Sequence, residues 1–238
     1  MGTSWASVIT DDALLLINDL RLNGEMAENP ALFFRKMCFY MKNAIPRFNR
    51  PPEMSGWLTY TEPTYNALTS TVQEEQYTDY VIDSGLAGYD LMSAGVVTQD
   101  VYGNPIYTPV ANVVYDNTTG DITIPASYSE PIPAGTVYSF DFYTDGAFDN
   151  DLTDAQRRIL ALCIQYVWET AFANDWLNRA PRAKDRSFDA GNVSSQTRAN
   201  TERINAVKRT LDDEMTGYAQ SCEYMQNVSG AGRQRTFL

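Results

Sequence analysis

Apolar residues recur at three- and four-residue spacing through residues 153–179, at Ile159, Leu160, Cys163, Ile164, Val167, Trp168, Ala171, Phe172 and Trp176. That spacing predicts a helix buried on a broad face. Thr153 and Gln156 stand at capping-box spacing at its start, although Leu152 and Arg157 do not make the accompanying hydrophobic staple. Pro181 stops it. At 1.5 Å per residue the helix is roughly 40 Å long, the width of a small domain. It is the expected central core helix.

Two shorter helices are predicted before it. In the first, over residues 13–22, Thr10 is the expected cap and Asp11 and Asp12 fill the opening turn. Leu14, Ile17 and Leu20 form its face, Leu15 and Leu16 widen it, and Asn23-Gly24 ends it. In the second, over residues 30–45, Asn29 caps and Pro30 takes the first position. Its apolar set is Phe33, Phe34, Met37, Cys38, Tyr40, Met41, Ala44 and Ile45, and Pro46 closes it. From Arg47 to Glu75 periodicity dissolves into an extended connector or an inter-subunit arm, with Trp57, Leu58 and Tyr60 as its apolar points.

Residues 77–143 read as β structure. Alternating runs at Tyr80-Val81-Ile82, Gly95-Val96-Val97-Thr98, Val113-Val114-Tyr115, Asp121-Ile122-Thr123-Ile124 and Thr136 to Tyr143 are separated by Gly, Pro and Asn turn chemistry. Beyond the long helix, a further helix is expected from Ser194 or Ser195, carrying the narrow stripe Ile204, Val207, Leu211, Met215, Tyr218, Cys222 and Met225. From Asn227 the chain turns to Ser, Gly, Gln and Arg, a flexible tail. The expected fold class is α+β: a helical bundle of two short and two long helices with an inserted small antiparallel β-sandwich or barrel. Its domains are residues 1–53 with 149–226 (helical core), 54–148 (connector and acidic β insertion) and 227–238 (tail).

Charge sharpens this division. Residues 51–151 hold 15 acidic residues and no Lys or Arg, whereas 1–50 carry 6 basic and 5 acidic, and 152–238 carry 12 basic and 10 acidic. The middle stretch is therefore unsuited to gripping nucleic-acid phosphates. The 238 residues include no histidine, which removes the commonest general base and metal ligand. The three cysteines fall on apolar helical faces, as free buried thiols do. No apolar run is long enough to span a membrane, and the N-terminus matches neither a secretory signal nor a myristoylation pattern.

The candidate chemistry is sparse. Asp141, Asp145, Asp149, Asp151 and Asp154 only partly fit a calcium loop or a glycosidase carboxylate pair, and turn formation plus first-turn helix charge accounts for them. Tyr77, Tyr80, Tyr89, Tyr102, Tyr107, Tyr115, Tyr128, Tyr138 and Tyr143 suit strands as well as they suit sugar stacking. Arg179, Arg182, Lys184 and Arg186 form a basic loop that faces solvent, another subunit or DNA. Neither a cofactor nor a metal is expected.

The helix order, the stretch Ile45-Pro46-Arg47-Phe48-Asn49-Arg50-Pro51-Pro52, the join from Phe140 to Thr153, and the later Trp168, Asp175-Trp176-Leu177 and Asp185-Arg186-Ser187-Phe188 together resemble head-to-tail adaptor (connector) proteins of tailed bacteriophages. The likeness covers the residues outside 54–148; the β insertion departs from the family's helical pattern. It implies a non-enzymatic virion neck protein, assembled in the host cytoplasm into a homo-oligomeric ring, commonly a dodecamer. Such a ring contacts the portal protein and a tail or head-closure protein, passes double-stranded DNA without reading its sequence, and touches no membrane. It further implies portal docking by the tail, here through Arg233, Arg235, Phe237 and Leu238, freed by Gly230 and Gly232. The alternative is a carbohydrate- or protein-binding decoration or receptor-binding module on a helical stalk; a carboxylate hydrolase is third.

Overall fold

A computed structural model describes residues 2–179 and 190–234, with side chains described for 2–54, 56–174 and 197–223. The fold is α+β with antiparallel sheets. The chain divides into two compact units, one of residues 1–20, 36–61 and 147–238, the other of residues 21–35 and 62–146. Residues 21–35, which the sequence pattern alone groups with the helices, thus belong with the strands.

The first unit opens on α1 (Trp5–Ser7), a π-helical turn at Val8–Ala13 and α2 (Leu14–Ile17). Ser4, not Thr10, is the cap: its hydroxyl accepts from the Ser7 N–H at 3.1 Å. Thr10 lies inside the helical run and donates to the Ala6 carbonyl at 2.8 Å. The run ends at Asn18, which takes the left-handed conformation that Asn tolerates (φ 47°). Asn23-Gly24 does not stop a helix; both lie within α3 (Leu20–Glu28). Leu15 and Leu20 are exposed, at 76% and 83%, because the buried face is Trp5, Val8, Ile9, Ala13 and Ile17.

In α4 (Pro30–Ala44) Asn29 caps as expected, its side-chain oxygen accepting from the Leu32 N–H at 3.0 Å. A 3₁₀ turn (Ile45–Arg47) and α5 (Met54–Trp57) lead into β1 (Tyr60–Thr61). The long core helix is α6 (Asp154–Arg179). Its capping box is reciprocal: Thr153 N–H donates to Gln156 Oε1 at 2.8 Å, and Gln156 N–H to Thr153 Oγ1 at 3.4 Å. Ile159 to Ile164 are all buried, so this section is covered on every side, by the π turn, α2, the 3₁₀ turn and α7 (Ala190–Gln234). The helix α7 starts before Ser194 and runs past Asn227, so the expected flexible tail is helical backbone as far as Gln234.

The second unit holds β2 (Thr64–Thr71), β3 (Tyr80–Asp83), β4 (Asp90–Gln99), β5 (Pro105–Pro109), β6 (Val114–Asp116), β7 (Asp121–Ile124) and β8 (Val137–Thr144). Four strands are ordered β2-β8-β4-β5 and three β3-β7-β6. β9 (Ala147–Phe148) pairs with β1 in the first unit. Strand β8 alternates because Phe140 and Phe142 enter a core shared with Val72, Ile122, Ile124, Ile132 and Tyr138. Between β6 and β7, Gly120 adopts φ 86°, and an added Cβ there would stand 3.0 Å from the Ala87 nitrogen.

Trp168 is 4% exposed and stacks on Phe172 with ring centroids 5.3 Å apart. Trp168→Ala is expected to lower stability by about 3–5 kcal/mol in urea unfolding. Phe39, 63% exposed, serves as the control: Phe39→Ala should change stability little, and equal losses in the two variants would misplace the core.

Candidate functional site

The helical unit carries its polar chemistry along α6 and α7. The Gln156 side chain donates to the Tyr218 hydroxyl at 2.8 Å, and Arg158 Nε donates to Glu214 at 2.9 Å. Arg157 Nε bonds Asp12 at 2.8 Å, which ties α6 to the N-terminal helical run. Arg47 and Arg203 lie over the rings of Tyr166 and Trp168, at 5.0 and 5.9 Å. A shallow groove of about 470 Å³ follows the α6–α7 seam, lined in part by Ala155, Ile159, Gly217 and Tyr218.

Glu169 is the buried charge of this seam. Its side chain is 3% exposed and meets the half-exposed Arg203 guanidinium at 2.5 Å. Burial raises its carboxyl above the usual range, and Arg203 only partly offsets this. Cys163 is deeper still: burial pushes its thiol up to about 12. It is therefore an inert packing group. Cys38 is also buried, and Cys222 is partly so; none of the three is in a disulfide.

Apolar side chains also face out from this unit. Leu15, Leu20, Phe39 and Trp57 are each more than half exposed. Along the described side chains of α7, only Leu211 and Met215 are fully buried. Of the narrow stripe read from the sequence, Ile204, Val207, Tyr218 and Cys222 are partly buried beside these two, and the Met225 side chain lies outside those described.

Most residues of the sequence-proposed basic loop and docking tail lie outside the described residues. Arg179 ends α6, and Arg182, Lys184 and Arg186 lie outside the described residues. Arg233 is on helical backbone, while Arg235, Phe237 and Leu238 lie outside them. The aspartates disperse: Asp141 is mid-strand in β8, Asp145 accepts from the Tyr143 hydroxyl, and Asp154 starts α6. Among the described residues no group of three His, Cys, Asp or Glu side chains is arranged to hold a metal, and no helix is long and apolar enough to cross a membrane. Of the tyrosines, Tyr77 and Tyr128 stack at 5.2 Å on the surface, and Tyr138 is packed in the core.

The sequence reading missed a cleft in the second unit. Its signal was Asp141 itself, a carboxylate at an outward position between two core phenylalanines. No family model matches the sequence, and no curated protein matches it significantly.

The raised Glu169 value fixes the sign of a pH effect. Because the folded state favours the protonated form, the group's contribution is complete below its ordinary value of 4.5. It is lost as pH rises through the higher folded value. Glu169→Gln should therefore be at least as stable as the parent at neutral pH, with the gap closing on acidification in urea melts. A large loss at neutral pH would show instead that the Arg203 pair outweighs burial.

Proposed function

We propose that this protein is a non-enzymatic neck component of a tailed-bacteriophage virion, an adaptor that forms a homo-oligomeric ring joining portal to tail around the DNA passage. One observation carries the reading: the helical unit leaves Leu15, Leu20, Phe39 and Trp57 more than half exposed, while of the described side chains of α7 only Leu211 and Met215 are fully buried. The reading takes these apolar side chains as contacts with other subunits. In this reading the helices are the adaptor bundle and the strands of residues 62–146 a β-sandwich inserted into it. The ring, commonly twelve subunits, contacts portal and tail or head-closure proteins and gives double-stranded DNA passage without sequence-specific contacts.

The stacked, exposed Tyr77–Tyr128 pair favours a second reading, a carbohydrate- or protein-binding module on a helical stalk. Glycan-array binding lost on Tyr128→Ala would select it.

For the ring, sedimentation and electron microscopy of the purified protein mixed with portal rings should show stoichiometric ring-on-ring particles. Leu20→Asp with Phe39→Asp should break them up without unfolding the chain. Monomers that ignore the portal would reject the proposal.

The tail proposal is tested separately. Removing residues 227–238 trims the last turns of α7 and the docking residues Arg233, Arg235, Phe237 and Leu238. The truncated protein should melt like the parent and attach more weakly to portal rings. Unchanged attachment would rule the tail out as a docking element.

A further inference from the structure

Three strands and the helix ends at residues 27–30 line an open cavity of about 400 Å³ in the second unit. That volume is within the range of small-ligand sites, roughly 300–1,000 Å³. Its floor is the outer face of the four-stranded sheet. Phe140 and Phe142 turn into the core, so Asp141 between them faces the opposite side, into the cavity. A carboxylate in the middle of a central strand does nothing for the sheet itself, since strands disfavour Asp.

The surroundings of Asp141 are specific. Register shifts between Leu91 and Ser93, placing Met92 as an extra residue at the cavity wall. Bulges of this kind re-aim side chains. Ser93 Oγ donates to Asp141 Oδ2 at 2.7 Å. The Tyr107 ring lies flat on Gly95: a Cβ at that glycine would stand 2.3 Å from the ring. Only glycine leaves the aromatic face in this place, beside the carboxylate. Burial raises the Tyr107 phenol above its usual value, and the Asp141 charge adds to this. From the helix end, Glu28 and Asn29 complete the lining.

The balance of charge names the ligand class. Among the described residues the carboxylates that line the cavity are Glu28 and Asp141, and no Lys or Arg lines it. The sequence from 51 to 151 adds no cation at all. Arg35 lies in an adjoining recess of about 190 Å³ that shares Met92 and Asp141, its guanidinium carbon 5.3 Å from the Tyr65 ring centroid. That contact shows a guanidinium already accommodated on a tyrosine of the same sheet face. We propose that the cavity binds an organic cation, an alkylammonium or guanidinium group, held by Asp141 and Glu28 and covered by the Tyr107 ring. Carboxylate oxygens supply charge-assisted hydrogen bonds, the ring a cation–π contact, and Met92, Pro30 and Pro109 an apolar wall for the alkyl stem. This site is independent of whether the helical unit forms a ring.

The cation has two possible sources, a free polyamine or a side chain offered by a protein. Amide spectra of the full chain, titrated with agmatine and separately with N-acetyl-arginine methylamide, distinguish them. Shifts should centre on Ser93, Gly95 and Tyr107. Asp141→Asn retains an acceptor for Ser93, and Glu28→Gln alters an exposed helix end, so both variants keep the fold. Each should weaken binding by about tenfold, the worth of one charge-assisted hydrogen bond. Binding of both probes assigns the site to a protein-borne side chain, and binding of agmatine alone assigns it to a free polyamine. No shift with either probe, shifts unaltered in both variants, or shifts spread evenly over the acidic surface would overturn the proposal.

Discussion

The burial of the middle of α6 is the constraint on which the helical unit depends. Six consecutive residues, Ile159 to Ile164, are removed from solvent, which a helix achieves only if neighbours surround it. None of the candidate neighbours is stable alone: α1, the π turn and α2 are each a turn or two long, and short helices in water do not persist without packing. They form because α6 offers apolar area to cover, and each brings its own apolar set, Trp5, Val8, Ile9, Ala13 and Ile17 from the N-terminus, Leu211 and Met215 from α7. Hydrogen bonds then fix the angle of approach. Gln165 donates to the Leu16 carbonyl at 3.0 Å, Arg157 holds Asp12, and Gln156 both closes the capping box and reaches Tyr218. A single buried glutamine thus serves the start of α6 and its contact with α7.

Periodicity exposed much of this arrangement to a reader of the sequence. The helix α6, its capping box, the Asn29 cap, the buried set of α4 and the strands β3, β4, β6, β7 and β8 all carry strong local signals. The misreadings have physical causes. Thr10 looked like a cap because it precedes two aspartates, yet Ser4 does the capping and Thr10 bonds back within a π turn that has no sequence pattern of its own. Gly24 looked like a stop, but nothing lies within 4 Å of where its Cβ would be. There it costs the helix roughly 1 kcal/mol, which packing absorbs. Strands β2 and β5 were unread because both are edge strands: β2 has few apolar residues, and β5 is fully exposed between Pro105 and Pro109. Of the cleft, only the isolated position of Asp141 was visible. The bulge at Met92 and the seat of Tyr107 on Gly95 depend on pairing between strands distant in sequence.

The charge asymmetry takes on a definite form in the three-stranded sheet. Tyr80, Ile82, Ile122, Ile124 and Tyr115 pack into the core, so the alternate positions face out. Register sets them in two rows: Val81, Thr123 and Val114 in one, Asp83, Asp121 and Asp116 in the next. Three carboxylates side by side repel one another and weaken the sheet that carries them. The sequence tolerates this cost beside two valines that are 56% and 64% exposed. Exposed β-branched residues on a sheet face invite self-association, and a row of like charges next to them opposes it, since a second copy brings the same charges to the same place. The repulsion works only between like faces. It leaves the exposed apolar residues of the helical unit, which lie among balanced charges, as the surface on which the proposed ring would form at the least electrostatic cost.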